Sequence, residues 1–105
     1  MSTSRLDTLK KFLEEDPNDS FSYYAIALEY ASMKMYPEAV SKYQELIERD
    51  PNYVPAHYQL GILLAQLSKI AEARMAFELG IKIATVQGDT HARNEMQEAL
   101  DELDK

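Results

Sequence analysis

Cysteine is absent from the 105-residue chain, which excludes disulfide scaffolds, thiolate metal sites and thiol catalysis. Glycine occurs only three times, too rarely for a many-turned all-β fold, which uses Gly and Pro as punctuation. An excess of positive charge is also missing. Eleven basic residues face eighteen acidic ones, a net charge of −7, so the chain lacks the basic footprint of a phosphate-backbone binder and no nucleic-acid partner is expected. Long apolar runs are missing too. The most apolar stretch, 60–67, contains Gln66 and is far too short to span a bilayer, so no membrane role is expected. The first seven residues carry no apolar stretch behind a basic start, which is not the pattern of a signal peptide. Together with the missing cysteine, this points to the cytoplasm. What is present is an ordinary soluble composition, 46% hydrophobic and 28% charged, in a length that suits one domain with a modest core.

The chain repeats itself at an offset of 34 residues. Glu14-Glu15-Asp16-Pro17-Asn18 returns as Glu48-Arg49-Asp50-Pro51-Asn52, and Met35-Tyr36-Pro37-Glu38-Ala39 returns in pattern as Lys69-Ile70-Ala71-Glu72-Ala73. Tyr24 and Tyr58, Ala31 and Ala65, and Ile47 and Ile81 match at the same offset, as do the apolar pairs Ile26/Leu60, Leu28/Ile62 and Tyr43/Phe77. One match means little, whereas a string of them at one fixed period marks a repeat architecture.

Within each period the apolar spacing is helical. Tyr23, Ile26, Ala27 and Tyr30 follow i, i+3, i+4, i+7, as do Val40, Tyr43, Leu46 and Ile47. Punctuation agrees. Ser4, followed by Asp7 three residues on, caps a first helix in a relative of the Ser-x-x-Glu box, and Asp16-Pro17 ends it. Asp19 or Ser20 caps the second helix; Pro37 and Pro55 suit the first turn of the third and fourth. Gly88 stops the fifth, and Asp89 or Thr90 caps the sixth. The predicted helices are 4–15, 20–33, 37–49, 54–67, 70–86 and 90–103, an all-α fold. Glu38–Lys42, Glu45–Arg49 and Glu78–Lys82 are spaced as i,i+4 pairs, each contributing about 0.2–0.5 kcal/mol.

A 34-residue helix–turn–helix unit resembles the tetratricopeptide repeat (TPR). The copies 20–53 and 54–87 carry Tyr23, Ile26, Ala27, Tyr30, Ala39, Tyr43 and Pro51, then His57, Leu60, Gly61, Leu64, Ala73 and Phe77. These fall where the family has its Trp-x-x-Leu-Gly-x-x-Tyr and Ala-x-x-x-Phe…Pro pattern. His57 replaces the aromatic residue and Thr85 the closing proline; Leu46 and Gly80 stand at a usual alanine, and Lys34 and Ser68 at the common turn glycine. Residues 4–19 resemble the second half of an earlier repeat. Arg5 falls where the full copies have Ala39 and Ala73, a site where a large residue is tolerated if no partner helix packs on it. Residues 88–105 look like a C-terminal capping helix with the apolar stripe Ala92, Met96, Ala99, Leu100 and Leu103. The resemblance implies one TPR-like domain over 1–105, a right-handed superhelix of antiparallel hairpins with about six helices.

The resemblance also implies a concave face lined by the first helix of each repeat. Its positions fall on Phe21, Tyr24, Ala25, Leu28, Ala31 and Ser32, then Pro55, Tyr58, Gln59, Ile62, Ala65 and Gln66. Family members that bind chaperone C-terminal carboxylates use Lys and Asn there. Here Tyr24 and Leu28 occupy the first copy's Lys and Asn sites and Gln59 the second copy's Asn site, so a two-carboxylate clamp is not supported. The candidate partner-binding groove is Phe21, Tyr24, Leu28, Tyr58, Gln59 and Ile62, mostly apolar and set in acidic surroundings. It suits a peptide or helix with apolar anchors and basic flanks.

Other features read blandly. His57 occupies a core-type position, and His91 and Glu95 are one turn apart, too few ligands for a structural metal site. Met33 and Met35 read as gap-filling core residues, and Asp101, Glu102 and Asp104 as a solvated acidic end. No nucleophile–base pairing, glycine-rich phosphate loop or metal-ligand spacing occurs, so neither catalysis nor a cofactor is expected. The expectation is an adaptor or scaffold that binds a protein or peptide. The alternative is homo-oligomeric self-association through the same stripe, or through the unpaired first helix with its Leu6, Leu9, Phe12 and Leu13.

Overall fold

The computed structural model describes residues 4–105 and contains, among them, six α-helices and no strand. They are α1 (Arg5–Glu15), α2 (Ser20–Ser32), α3 (Tyr36–Arg49), α4 (Val54–Gln66), α5 (Ile70–Gln87) and α6 (Thr90–Leu103). The chain divides into two compact units, Met1–Pro51 and Asn52–Lys105. Among the described residues no helix is long and apolar enough to cross a membrane.

The first unit is built by α1, α2 and α3. Ser4 Oγ accepts the Asp7 amide at 3.1 Å, the cap expected from the sequence, and Asp16 ends α1. Leu9, Ala25 and Ile26 form a small buried cluster, with Leu6, Leu13 and Tyr30 half-buried against it. Phe12 falls outside that cluster and is 50% exposed. Arg5, the charged residue at an alanine position of the repeat, is exposed and its Nε reaches Glu29 at 3.3 Å, whereas its counterparts Ala39 and Ala73 are fully buried. The α2–α3 hairpin is pinned at its open end by Ser20 Oγ donating to Asp50 Oδ2 at 2.6 Å.

The second unit repeats the hairpin as α4–α5 and adds α6. Two glycines permit close helix approach. At Gly61 a Cβ would lie 2.4 Å from the Phe77 ring. At Gly80 it would lie 2.4 Å from Met96 Sδ and 2.9 Å from His57 Cβ. Phe77, Met96 and His57 are fully buried at these contacts, so His57 does sit in the core. Burying a Phe or Met side chain contributes about 1.5–3 kcal/mol, so Phe77 helps hold α5 on α4 and Met96 helps hold α6 on α5. Gln87 Nε2 donates to the Asn52 carbonyl at 2.7 Å, and Arg74 pairs with Asp104 across α5 and the end of α6.

The turns of the two hairpins are alike. Lys34 donates to the Ala31 carbonyl and Met35 to Tyr30; Ser68 donates to Ala65 and Lys69 to Leu64. Gly88 and Asp89 repeat the arrangement on Thr85 and Ala84. Each is a Schellman C-cap, which places its central residue in the left-handed region: φ is 61° at Lys34, 62° at Ser68 and 74° at Gly88.

Several local expectations change. Asp19 caps α2 by position without a side-chain bond to the backbone; its carboxylate instead accepts Ser22 Oγ at 2.6 Å. Lys42 pairs with Glu45 at 2.9 Å in place of Glu38, and Arg49 lies 5.1 Å from the Tyr23 ring centroid in place of pairing with Glu45. Met33, the C-cap residue of α2, is half exposed and fills no core gap.

Candidate functional site

The two hairpins present the same face by the same packing logic. Tyr23, Ile26 and Ala27 of α2 are buried, and so are His57, Leu60 and Gly61 of α4. The core therefore consumes those positions and leaves Tyr24 and Leu28, or Tyr58 and Ile62, at the surface of the first helix. Tyr24 and Tyr58 are half-buried, each with its ring tilted against an aromatic side chain of the hairpin's own second helix: Tyr24 and Tyr43 centroids are 6.2 Å apart, Tyr58 and Phe77 6.3 Å. Phe21 and Leu28 are exposed, and Gln59 and Ile62 half-buried. Burial pushes the Tyr43 phenol well above its ordinary range, with the neighbouring Tyr24 adding to the shift.

In the second unit the face opens into a cleft of about 610 Å³. Tyr58, Ile62 and Ala65 of α4 and Phe77 of α5 form its floor; Glu95, Glu98, Ala99, Asp101, Glu102 and Leu103 of α6, with Lys105, form its wall. Of the candidate groove residues, the structure thus brings Tyr58 and Ile62 together on this cleft. Gln59 is on α4 but outside the lining, and Phe21, Tyr24 and Leu28 belong to α2 in the other unit.

Asp101, Glu102 and Asp104 are exposed, as expected of a solvated acidic end; what the sequence did not show is that Asp101 and Glu102 also line the cleft, while Asp104 is held by Arg74. The signal was present in the spacing of Glu95, Glu98 and Glu102 at i, i+3, i+7 around Ala99. The Arg74 hydrogen bond holds the Asp104 carboxyl below its usual range. His91 Nε2 lies 3.2 Å from Glu95, and Lys105 Nζ 3.0 Å from Glu102. The sequence reading also passed over Met75, Leu79 and Val86, which leave an exposed apolar stripe on α5 where the first copy has Ser41, Glu45 and Asn52. Comparing the copies at the 34-residue offset reveals it.

Repeated helical hairpins with matched C-caps define a helical-repeat protein of the TPR class. Comparison with known proteins agrees. The family described as TPR repeat matches residues 27–68, and the one described as tetratricopeptide repeat matches 54–86. A tetratricopeptide repeat domain protein from Salinibacter ruber is 33% identical, with a TM-score of 0.80, and the alignment covers 84% of this chain and 89% of that one. A TPR repeat-containing protein of Pseudomonas aeruginosa is 27% identical over 100 residues, 95% of both chains. The TPR2B domain of yeast Sti1, solved as a complex with pHsp70, shares the fold at a TM-score of 0.88 and 18% identity, over 94% of this chain and 79% of that one. The chain belongs to the tetratricopeptide repeat family.

Proposed function

We propose that this chain is a protein-interaction module that docks a peptide or partner helix on the exposed face of a hairpin's first helix, α2 in the first unit or α4 in the second, and that it acts by binding, without catalysis. The carrying observation is the repeated presentation: the Tyr24 and Tyr58 rings tilt against Tyr43 and Phe77 and both stay half-buried, with Leu28 and Ile62 one turn further on. Aromatic side chains already held by packing lose little freedom on binding and make good anchors. The Sti1 domain solved with pHsp70 has the same fold, and a relative from Cryptococcus neoformans, 32% identical over 73 residues, is a tetratricopeptide repeat and J domain-containing co-chaperone. This chain spans 14% of that relative, so what carries over is the binding of a protein segment and not the identity of the partner. A cytoplasmic location belongs to the same proposal.

The test is capture of partners from the native lysate, with a Tyr24→Lys/Tyr58→Lys variant as control. The variant should keep its helicity and lose the partner; retention of an identified partner contradicts the reading. Self-association is the second reading, favoured by the half-exposed Phe12 on α1. Light scattering at two concentrations separates the readings. A strict monomer removes assembly, and a tight dimer that hides Tyr24 and Tyr58 removes the open face.

A further inference from the structure

We propose that the cleft of the second unit takes a cationic amphipathic segment, with an apolar anchor on Tyr58 and Ile62 and Lys or Arg side chains along the α6 wall. The proposal rests on the interaction-module reading and names the chemistry of its ligand.

Three observations support it. First, the cleft has two unlike sides: an aromatic and aliphatic floor from α4 and α5, and a wall carrying Glu95, Glu98, Asp101 and Glu102 against one lining cation, Lys105. Second, charge in this unit is segregated. Residues 89–105 hold six acids and two basic residues, whereas 52–88 hold two acids and three basic residues. Negative potential is therefore concentrated on the helix that walls the cleft. Third, the cations near the wall offset little of it: Lys105 pairs with Glu102 alone, and Arg74, outside the lining, is paired with Asp104. Ala99, the small residue among Glu95, Glu98 and Glu102 on α6, lines the same cleft. An acidic peptide would place like charges against this wall. A peptide with an apolar face and basic flanks complements both sides at once.

The test uses the full chain and two labelled 14-residue helical peptides. One is built from Leu at i, i+3, i+4, i+7 spacing with Lys elsewhere; the other has Glu in place of Lys. Fluorescence anisotropy is read at low salt and near ~0.15 M, where the Debye length is about 8 Å. The Lys peptide should bind at least about ten-fold tighter than the Glu peptide, and the ratio should shrink with salt. Glu95→Gln/Glu98→Gln/Glu102→Gln should remove the preference, and Tyr58→Lys should remove binding, both with unchanged helicity. Glu14→Gln/Glu15→Gln/Glu48→Gln, in the first unit, should change neither. Equal or tighter binding of the Glu peptide overturns the proposal, as does an equal loss in the first-unit control, which would mean the overall field alone attracts the peptide. If both peptides bind equally and both need Tyr58, the ligand chemistry fails while the docking face stands. If neither binds, the proposal fails and the docking reading rests on the lysate capture alone.

Discussion

The ring of Phe77 lies against Gly61 so closely that a Cβ there would sit 2.4 Å from ring Cε1. At the same repeat positions the first hairpin has Ala27 and Tyr43, both buried. The two hairpins thus solve one packing problem with different residue pairs. Gly→Ala inside a helix ordinarily gains about 1 kcal/mol, but overpacking a fitted core costs about 1–3 kcal/mol. Gly61→Ala should therefore destabilise by on the order of 1 kcal/mol net, and Ala27→Gly should destabilise as well. Urea unfolding with an unchanged slope checks both signs.

The turns offer a test of opposite sign. Lys34 and Ser68 adopt left-handed conformations that cost a non-glycine residue about 1–2 kcal/mol, against about 0.5–1 kcal/mol of extra chain entropy lost by glycine. Lys34→Gly and Ser68→Gly should each stabilise by about 0.5–1 kcal/mol and raise the melting temperature. Gly88→Ala should lower it. A Cβ there meets nothing within 4 Å, so any loss is purely conformational.

The tether between α5 and the end of α6 should depend on pH. Hydrogen bonding to Arg74 depresses the Asp104 carboxyl below 3.8. A depressed carboxyl contributes fully above its unfolded value and loses that contribution as pH falls through the folded value. Amide exchange at Leu103 and Asp104 should therefore be slow at neutral pH and show a local loosening below about pH 4. Asp104→Asn should remove this step. Because both side chains are solvent-exposed, the effect should be confined to the end of α6.

Tyr43 makes an alkaline prediction. Its phenol is raised above the ordinary 10.0 first by burial and then by Tyr24. An unfolded tyrosine releases its proton above that value while the folded one retains it, so stability contributed by the buried phenol falls as pH rises beyond about 10. A phenolate absorbance titration should show one tyrosine ionising last, and Tyr43→Phe should remove that final step.

Much of the fold was legible in the sequence because the signals were local or periodic. The 34-residue offset, the Ser4 cap, the Pro37 and Pro55 starts and the Gly88 stop bring every helix boundary within one residue of its place. Side-chain partners were less legible. Lys42 and Arg49 each had a helical neighbour at the right spacing, yet Glu45 and the Tyr23 ring take them, because the competition depends on neighbouring helices as well as on spacing along one. The site followed the same division. Tyr58 and Ile62 could be named from repeat position alone, whereas the acidic wall required knowing that α6 docks with Ala99 and Leu103 toward α4 and α5. In the sequence, Asp101, Glu102 and Asp104 stood as a solvated end with nothing to tie them to the mostly apolar groove.

The most direct measurement is amide shift mapping of the full chain as the Lys/Leu peptide is added. The account predicts that the largest shifts fall on Tyr58, Ile62, Ala99 and Leu103, with Glu95 and Glu98 following. Shifts centred on the outer stripe of α5, at Met75, Leu79 and Val86, with Tyr58 and Ile62 unmoved, would contradict it.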